Sequence, residues 1–356
     1  MKWNGRYYRP GYGIPVYPKK ESSIEELLKP LGEKEDKGNV WRPILNQPIN
    51  VFKGTPLPPV SPTPTPTITL TPSVTPTLTP TPTITPTPST PVFDADAAAY
   101  LAAVISNGGT GIDATVSAAT ETLFLDLKSN GFYSKMYAFY PMLGAVSGST
   151  SLNGIRSNSV YDLTYNNVSG FTFTSSGATG DGLTAWANTN FNNTDFLQDN
   201  MSMGLYQFTQ NTPTKTEEVS MGQSFGASNL PQVQFGTRVG SSRLLRFGSN
   251  TAVTASAGGL FNGLYVASRT TSAAGYLYRN GNTTPVLSAT TTYTEGGNSR
   301  PIAVWNFYQD TGVYGNGYAN QGYSFIFLGE GLSSAEVATF SSIVNTFSTT
   351  LGRNTF

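Results

Sequence analysis

Apolar and polar residues follow three different patterns along the chain, and the pattern changes at Thr55 and again at Val92. From Val92 onward, three stretches have helical spacing. DADAAAYLAAVISNGG offers a cap at Asp94 or Asp96 and stops at Gly108 and Gly109. DATVSAATETLFLDLKSNG sets Val116, Ala119, Leu123 and Leu127 along one face and closes at Gly131. GLSSAEVATFSSIVNTFSTTLGRN opens on a capping box, Ser333 with Glu336, and aligns Val337, Phe340, Val344, Phe347 and Leu351 before Gly352 ends it. That stripe reads as a face packed on the rest of the domain. A trimer-forming coil is the alternative, although a sustained seam needs three or four heptads.

The residues between these helices repeat at period two. Met136, Ala138 and Tyr140 alternate with Tyr137 and Phe139, up to Pro141. Short apolar or alternating runs follow in SVYDLTY, GFTFTS, SMGLYQF, PQVQFGTRV, RLLRFG, GLYVASRT, AGYLYR, TPVLSATT, IAVWNFY and YSFIFL, broken by Gly, Asn, Ser and Thr. Strands at this spacing predict a mainly β sandwich and not a βα fold. In YLYRNGNTTPVLS, Asn280-Gly281 supplies the left-handed residues of a type I′ turn.

Residues 55–91 have neither period. Of these 37 residues 13 are Pro, 14 are Thr and none is charged. Pro lacks an N–H and fixes φ near the polyproline II value, while β-branched neighbours stiffen the chain, so the stretch predicts an extended stalk. At about 3.1 Å per residue its reach is on the order of 115 Å. PTPTIT recurs at Pro64 and Pro80, a step of 16 residues, as expected of a duplicated spacer.

Residues 1–54 are mostly irregular by pattern. SSIEELLKPLGEKED carries a capping box before Pro30 and Gly32 break a helix of about two turns, too short to stand alone. Aromatic and basic residues cluster around it, and Trp3, Tyr7, Tyr8, Trp41 and Arg42 are candidate docking anchors. A floppy tail is the competing reading. Ten Lys and Arg face six Asp and Glu in this segment, a net of +4, against eleven and fifteen from Val92 onward, a net of −4. That tail charge is small and mixed in sign, so nucleic acid is not an expected partner.

The chain has no Cys and no His, which removes disulfides, Cys/His zinc sites, Cys nucleophiles and Ser-His-Asp triads together. No apolar run approaches the ~20 residues of a membrane span. The first 20 residues lack the apolar core of a signal peptide, so secretion from this N-terminus is not expected.

Two loops carry candidate chemistry. TGVYGNGYANQGY sets Tyr314 and Tyr318 among glycines and amides, with Asn316 and Asn320 beside them, a composition suited to stacking on a sugar and bonding its hydroxyls. The plain alternative is a connector whose tyrosines pack on the sandwich. TGDGLTAWANTNFNNTDFLQDN reads as a second loop and adds Trp186 to the glycan candidates. Its Asp181, Asp195 and Asp199 are oxygen ligands of the kind calcium takes, although Asp and Asn are also ordinary turn residues.

The residues Tyr276-Leu277-Tyr278-Arg279-Asn280-Gly281, and Phe325-Ile326-Phe327-Leu328-Gly329 followed by Leu332-Ser333-Ser334-Ala335-Glu336, resemble elements of the concanavalin A-like, laminin-G-like jelly roll. The resemblance covers roughly residues 260–356 and implies that sandwich, to which the pattern adds the two preceding helices and the C-terminal helix read above. Glycosidases of that superfamily place two Glu around an Asp on one strand, because hydrolysis needs a paired acid and carboxylate. No such pattern is present here, and Glu217 and Glu218 are adjacent, so no enzyme is expected. The whole layout resembles structural appendages of tailed bacteriophages. That resemblance implies an exterior virion location and release by lysis. It also implies docking on capsid or tail proteins through residues 1–54, and adhesion to host polysaccharide or protein through residues 92–356. A homo-oligomer, commonly a trimer, is implied as well. A secreted or cell-envelope carbohydrate-binding module on a Thr/Pro linker, or a non-adhesive capsid decoration protein, would use the same layout.

Overall fold

A computed structural model describes residues 93–354, apart from 198, 210, 213–217, 224–231, 240, 250–251, 257, 260, 291–299, 310–311 and 314–316, together with 2–3, 6–8 and 15–16 near the N-terminus. The chain divides into two units, Met1–Thr83 and Ile84–Phe356. In the first, β1 (Lys2–Trp3), β2 (Arg6–Tyr8) and β3 (Pro15–Val16) form a small antiparallel meander, with Trp3 opposite Arg6 and Tyr7 opposite Val16. That meander adds to the irregular tail expected from the pattern. The stalk at 55–91 and the short helix near Ser22 lie outside the described residues.

The second unit is a jelly-roll-type sandwich of two antiparallel sheets with a layer of helices on one of them. Its helices start where the capping residues predict. Asp94 caps α1 (Ala95–Ser106) by accepting from the N–H groups of Asp96 and Ala97, both at 3.1 Å. Asp113 caps α2 (Ala114–Ser129) through Val116 N–H at 2.8 Å. After the single turn α3 (Ser147–Thr150), the last helix α4 (Ser334–Thr350) opens on a complete capping box between Ser333 and Glu336.

The helix-backed sheet runs β16 (Leu287–Ala289), β15 (Gly275–Arg279), β14 (Gly263–Arg269), β9 (Met201–Gln207), β20 (Gly322–Gly329), β7 (Gly177–Gly180), β6 (Phe171–Thr174), with β4 (Met136–Tyr140) also on β20. The front sheet runs β13 (Val253–Ser256), β12 (Ser242–Ser249), β11 (Gln232–Val239), β10 (Met221–Gln223), β17 (Pro301–Val304), β8 (Trp186–Asn192), β5 (Thr164–Asn166). A small hairpin, β18 (Tyr308–Gln309) with β19 (Gly312–Val313), adjoins β10.

Alternation along the strands sorts side chains into two cores. Met203, Leu205, Ile326 and Leu328 face Phe191, Phe235, Leu245 and Val304 between the sheets. Their strand neighbours Tyr206, Phe325 and Phe327 turn the other way and meet Leu123, Phe124, Phe340, Val344 and Phe347 of the helices. Phe340 is fully buried, with its ring 4.6 Å from Phe327 and 5.5 Å from Phe132. The apolar stripe of α4 is thus consumed within its own chain and is no coiled-coil seam.

Three expectations need correction. SVYDLTY is not one strand: residues Arg156–Tyr161 form 3-10 turns and only Thr164–Asn166 pairs. Asp162 accepts from Asn153 N–H and Arg156 Nη1, both at 2.7 Å, and these local bonds outcompete the ladder. IAVWNFY is interrupted at Trp305, which takes a left-handed φ of 61° while its indole N–H donates to Gln321 O at 2.8 Å. Residues 186–192, read as loop, are the strand β8.

Candidate glycan-binding rim

One end of the sandwich is built by the loops that join β5 to β6 and β7 to β8. Asp181 organises the second of them. Its Oδ1 accepts from the N–H groups of Leu183 and Thr184 at 2.8 Å and of Ala185 at 2.9 Å, and its Oδ2 accepts from Thr184 Oγ1 at 2.6 Å. Burial alone would raise this carboxyl. The Thr184 hydroxyl and the three N–H groups outweigh it and hold the pKa at about 2. Asn167, left-handed at φ 54°, ties the first loop to the second by donating to Thr184 Oγ1, and it accepts from Ser169 Oγ at 2.8 Å.

These two fixed loops lift Val168 and Leu183 into solvent, at 47% and 55% exposure. Trp186 follows directly at the start of β8, opposite Asn166 of β5. Inward residues Ala187, Thr189 and Phe191 are buried, while Trp186, Asn188, Asn190 and Asn192 lie half-buried on the outer face. Asn190 spends its amide on Asp162 O at 2.7 Å and Thr164 Oγ1 at 3.1 Å. Asn188 accepts the Asn190 N–H at 2.8 Å, and its Nδ2 makes no hydrogen bond among the described residues. An indole beside an open amide donor and two exposed aliphatic tips can stack a sugar ring and bond its hydroxyls.

Tyr318 reaches the same end by a separate route. Val304 pairs with Ala187, and Ala319 N–H donates to Trp305 O at 2.8 Å, so the segment before β20 runs past the start of β8. Tyr318 is half-buried, and burial followed by the Asp181 carboxylate pushes its phenol up. The structure therefore places Tyr318 near Asp181, at the end of the sandwich where the loop before Trp186 lies. Tyr314 and Asn316 lie outside the described residues.

Asn320 is 9% exposed and acts as a brace. Its Nδ2 donates to Thr212 O at 2.5 Å, its carbonyl accepts from Asn211 Nδ2 at 2.6 Å, and its Oδ1 accepts from Gln321 Nε2 at 2.8 Å. Behind it lies a buried polar network that the sequence did not reveal. Gln321 Nε2 reaches Glu218 Oε2 at 3.1 Å, Gln207 Nε2 reaches Gln321 Oε1 at 3.3 Å, and Thr237 Oγ1 bonds both Gln207 Oε1 and Ser220 Oγ. The only advance signal was amides and hydroxyls inside otherwise apolar runs.

The acidic calcium candidates do not converge. Asp181 holds its own loop, Asp195 caps a turn through Asn192 N–H at 2.8 Å, and Asp199 pairs with Arg269 Nε at 3.1 Å. Among the described residues no three His, Cys, Asp or Glu side chains gather in a metal-binding group. Nor, among them, is any helix long and apolar enough to cross a membrane. Of the docking candidates, Trp3 lies on β1, Tyr7 and Tyr8 lie on β2, and Trp41 and Arg42 fall outside the described residues.

No family model and no curated protein sequence matches the chain. Among solved structures it is similar to a Trypanosoma rangeli sialidase in complex with sialic acid, at 13% identity and TM-score 0.40 over 57% of this chain and 32% of that one. It is also similar to the binding domain of botulinum neurotoxin serotype D, at 11% identity and TM-score 0.36 over 58% and 51%. A structure of botulinum neurotoxin type C, whose cell entry depends on two ganglioside molecules, matches at 9% identity and TM-score 0.37 over 60% and 53%. The chain thus spans between a third and about half of these proteins.

Proposed function

We propose that this chain is an adhesive fibre on the exterior of a tailed-bacteriophage virion. In this reading residues 1–54 dock on capsid or tail proteins, residues 55–91 form the stalk, and the sandwich binds a host-surface glycan. The observation that carries the binding claim is the outer face of Trp186 and Asn188 on β8, entered from a loop that Asp181 fixes in advance, with Tyr318 near Asp181 at the same end. A preorganised site loses little entropy on binding, which matters for a ligand that offers mainly hydroxyls and ring faces. The reading is of a binder, not a hydrolase. Among the described residues the ion-paired carboxylates serve loops and helix ends, as in Arg156–Asp162 and Lys135–Glu336. The assembly is proposed to be a homo-oligomer, with a trimer the form to test by sedimentation.

The docking half is tested by labelling a synthetic peptide of residues 1–54 and incubating it with virions and with host cells. Retention on virions alone is expected. Retention on cells, or on neither, would contradict the assignment of the two ends and would favour a secreted carbohydrate-binding module.

A further inference from the structure

The helical layer turns an uncharged face to solvent. α1, α2 and α4 bury their apolar stripes in one core with the sheet behind them, α2 between the other two. On the opposite side every exposed residue of these three helices is Ala, Ser, Thr, Ile or Leu. A surface helix typically carries charged residues among those it turns to water. Here the five charged residues of the three helices, Asp96, Glu121, Asp126, Lys128 and Glu336, are half-buried instead. Four of them are spent locally: Lys128 pairs with Asp94 and Asp96, Glu121 accepts the Asp94 N–H at 2.9 Å, and Glu336 pairs with Lys135.

The same face carries both halves of an apolar contact. Ile105 on α1 and Leu125 on α2 project at 58% and 47% exposure. Between α2 and α4 runs a groove of about 120 Å³, lined by Leu123, Ile343 and Phe347 with Thr122 and Thr346. Projections and groove on one surface make it self-complementary, as a contact between like copies requires. Its extent is also sufficient. Helices of 12, 16 and 17 residues, at a rise of about 1.5 Å per residue and about 8–10 Å between axes, span about 600 Å². Two such faces together cover about 1,200 Å², the lower end of a specific interface.

Charge favours this face over the others. From Val92 onward eleven Lys and Arg stand against fifteen Asp and Glu, so two copies repel each other overall. An uncharged layer lets them meet without setting like charges opposite one another. Its alanines lose no side-chain entropy when covered. We propose that the layer of α1, α2 and α4 is the face on which a second copy of this chain packs. The proposal rests on the homo-oligomer reading above and assigns that assembly its surface, which is separate from the Trp186 rim. The Thr/Pro stretch joins the domain just before α1, so copies packed this way start their stalks beside the contact.

The test is sedimentation velocity of the full chain over a range of concentrations. Wild type is compared with the double variant Thr122→Glu, Thr346→Glu, with Ala102→Lys on α1, and with Thr254→Glu, an exposed position on β13 of the front sheet. Wild type and Thr254→Glu should form the same oligomer. The double variant and Ala102→Lys should each raise the dissociation constant about a hundredfold or more, because each puts like charges into the contact. Their circular dichroism should match wild type, and two variants of opposite charge on different helices guard against a folding fault in one. An oligomer that survives both, or one that Thr254→Glu disrupts equally, would overturn the assignment of this face while leaving the homo-oligomer reading in place. A monomeric wild type would overturn both and leave the face to a different protein.

Discussion

Asp181 does its work by accepting four hydrogen bonds from residues two to four positions ahead, so one carboxylate sets the shape of the loop before Trp186. Asp181→Ala should cost about 1–2 kcal/mol and loosen that loop. The pH dependence follows in sign. The folded pKa of about 2 lies below the ordinary 3.8, so the stabilisation is complete above about pH 4 and fades as pH falls towards 2. Urea unfolding at pH 7 and pH 3 checks both points: the gap between wild type and Asp181→Ala should narrow at pH 3. A gap that stays constant would mean that the carboxylate is not the source. Residue identity alone left Asp181 divided between turn and calcium chemistry, because both need the same oxygens. In the structure its oxygens accept from the three residues Leu183, Thr184 and Ala185, the bonding that a turn uses.

Helix ends were legible in the sequence because capping is local, settled within four residues. Ser333→Ala should therefore cost about 1 kcal/mol, and Phe340→Ala about 3–5 kcal/mol, since the first loses a cap and the second empties a fully buried site between α4 and β20. Denaturant midpoints at unchanged slope measure both, and a Phe340→Ala loss no larger than that of the cap would refute the packing assigned to α4. The Asn280-Gly281 turn was legible for the same reason. Its residues stand at φ 54° and 71°, and Asn282 N–H donates to Arg279 O at 3.1 Å, although β-pairing resumes only at Leu277 with Leu287. β8 was not legible. Its inward residues are Ala187, Thr189 and Phe191, and four of its seven residues are Asn or Thr, so a buried strand looked like a polar loop. What makes it a strand is pairing with β17 and β5, whose partners lie far away in the sequence for β17.

At the scale of the whole molecule, the change of pattern near Val92 marks where the sandwich unit takes hold of the chain. Lys128 grips both Asp94 and Asp96 at 2.7 Å and 2.5 Å, and Glu121 accepts the Asp94 N–H through both oxygens at 2.9 Å. The layered sandwich followed from strand spacing and helix stripes. The rim did not, because Trp186 and Tyr318 stand 132 positions apart and reach one end of the sandwich only through β8, β17 and the segment before β20. The proposed binding rests on the Trp186 face of that end. Its most direct test is equilibrium binding of the full chain to purified host-surface polysaccharide, compared with Trp186→Ala. Saturable binding by the wild type, weakened about tenfold or more in the variant at unchanged Tm, is the predicted result. Equal binding by both proteins, or no binding by either, would contradict it.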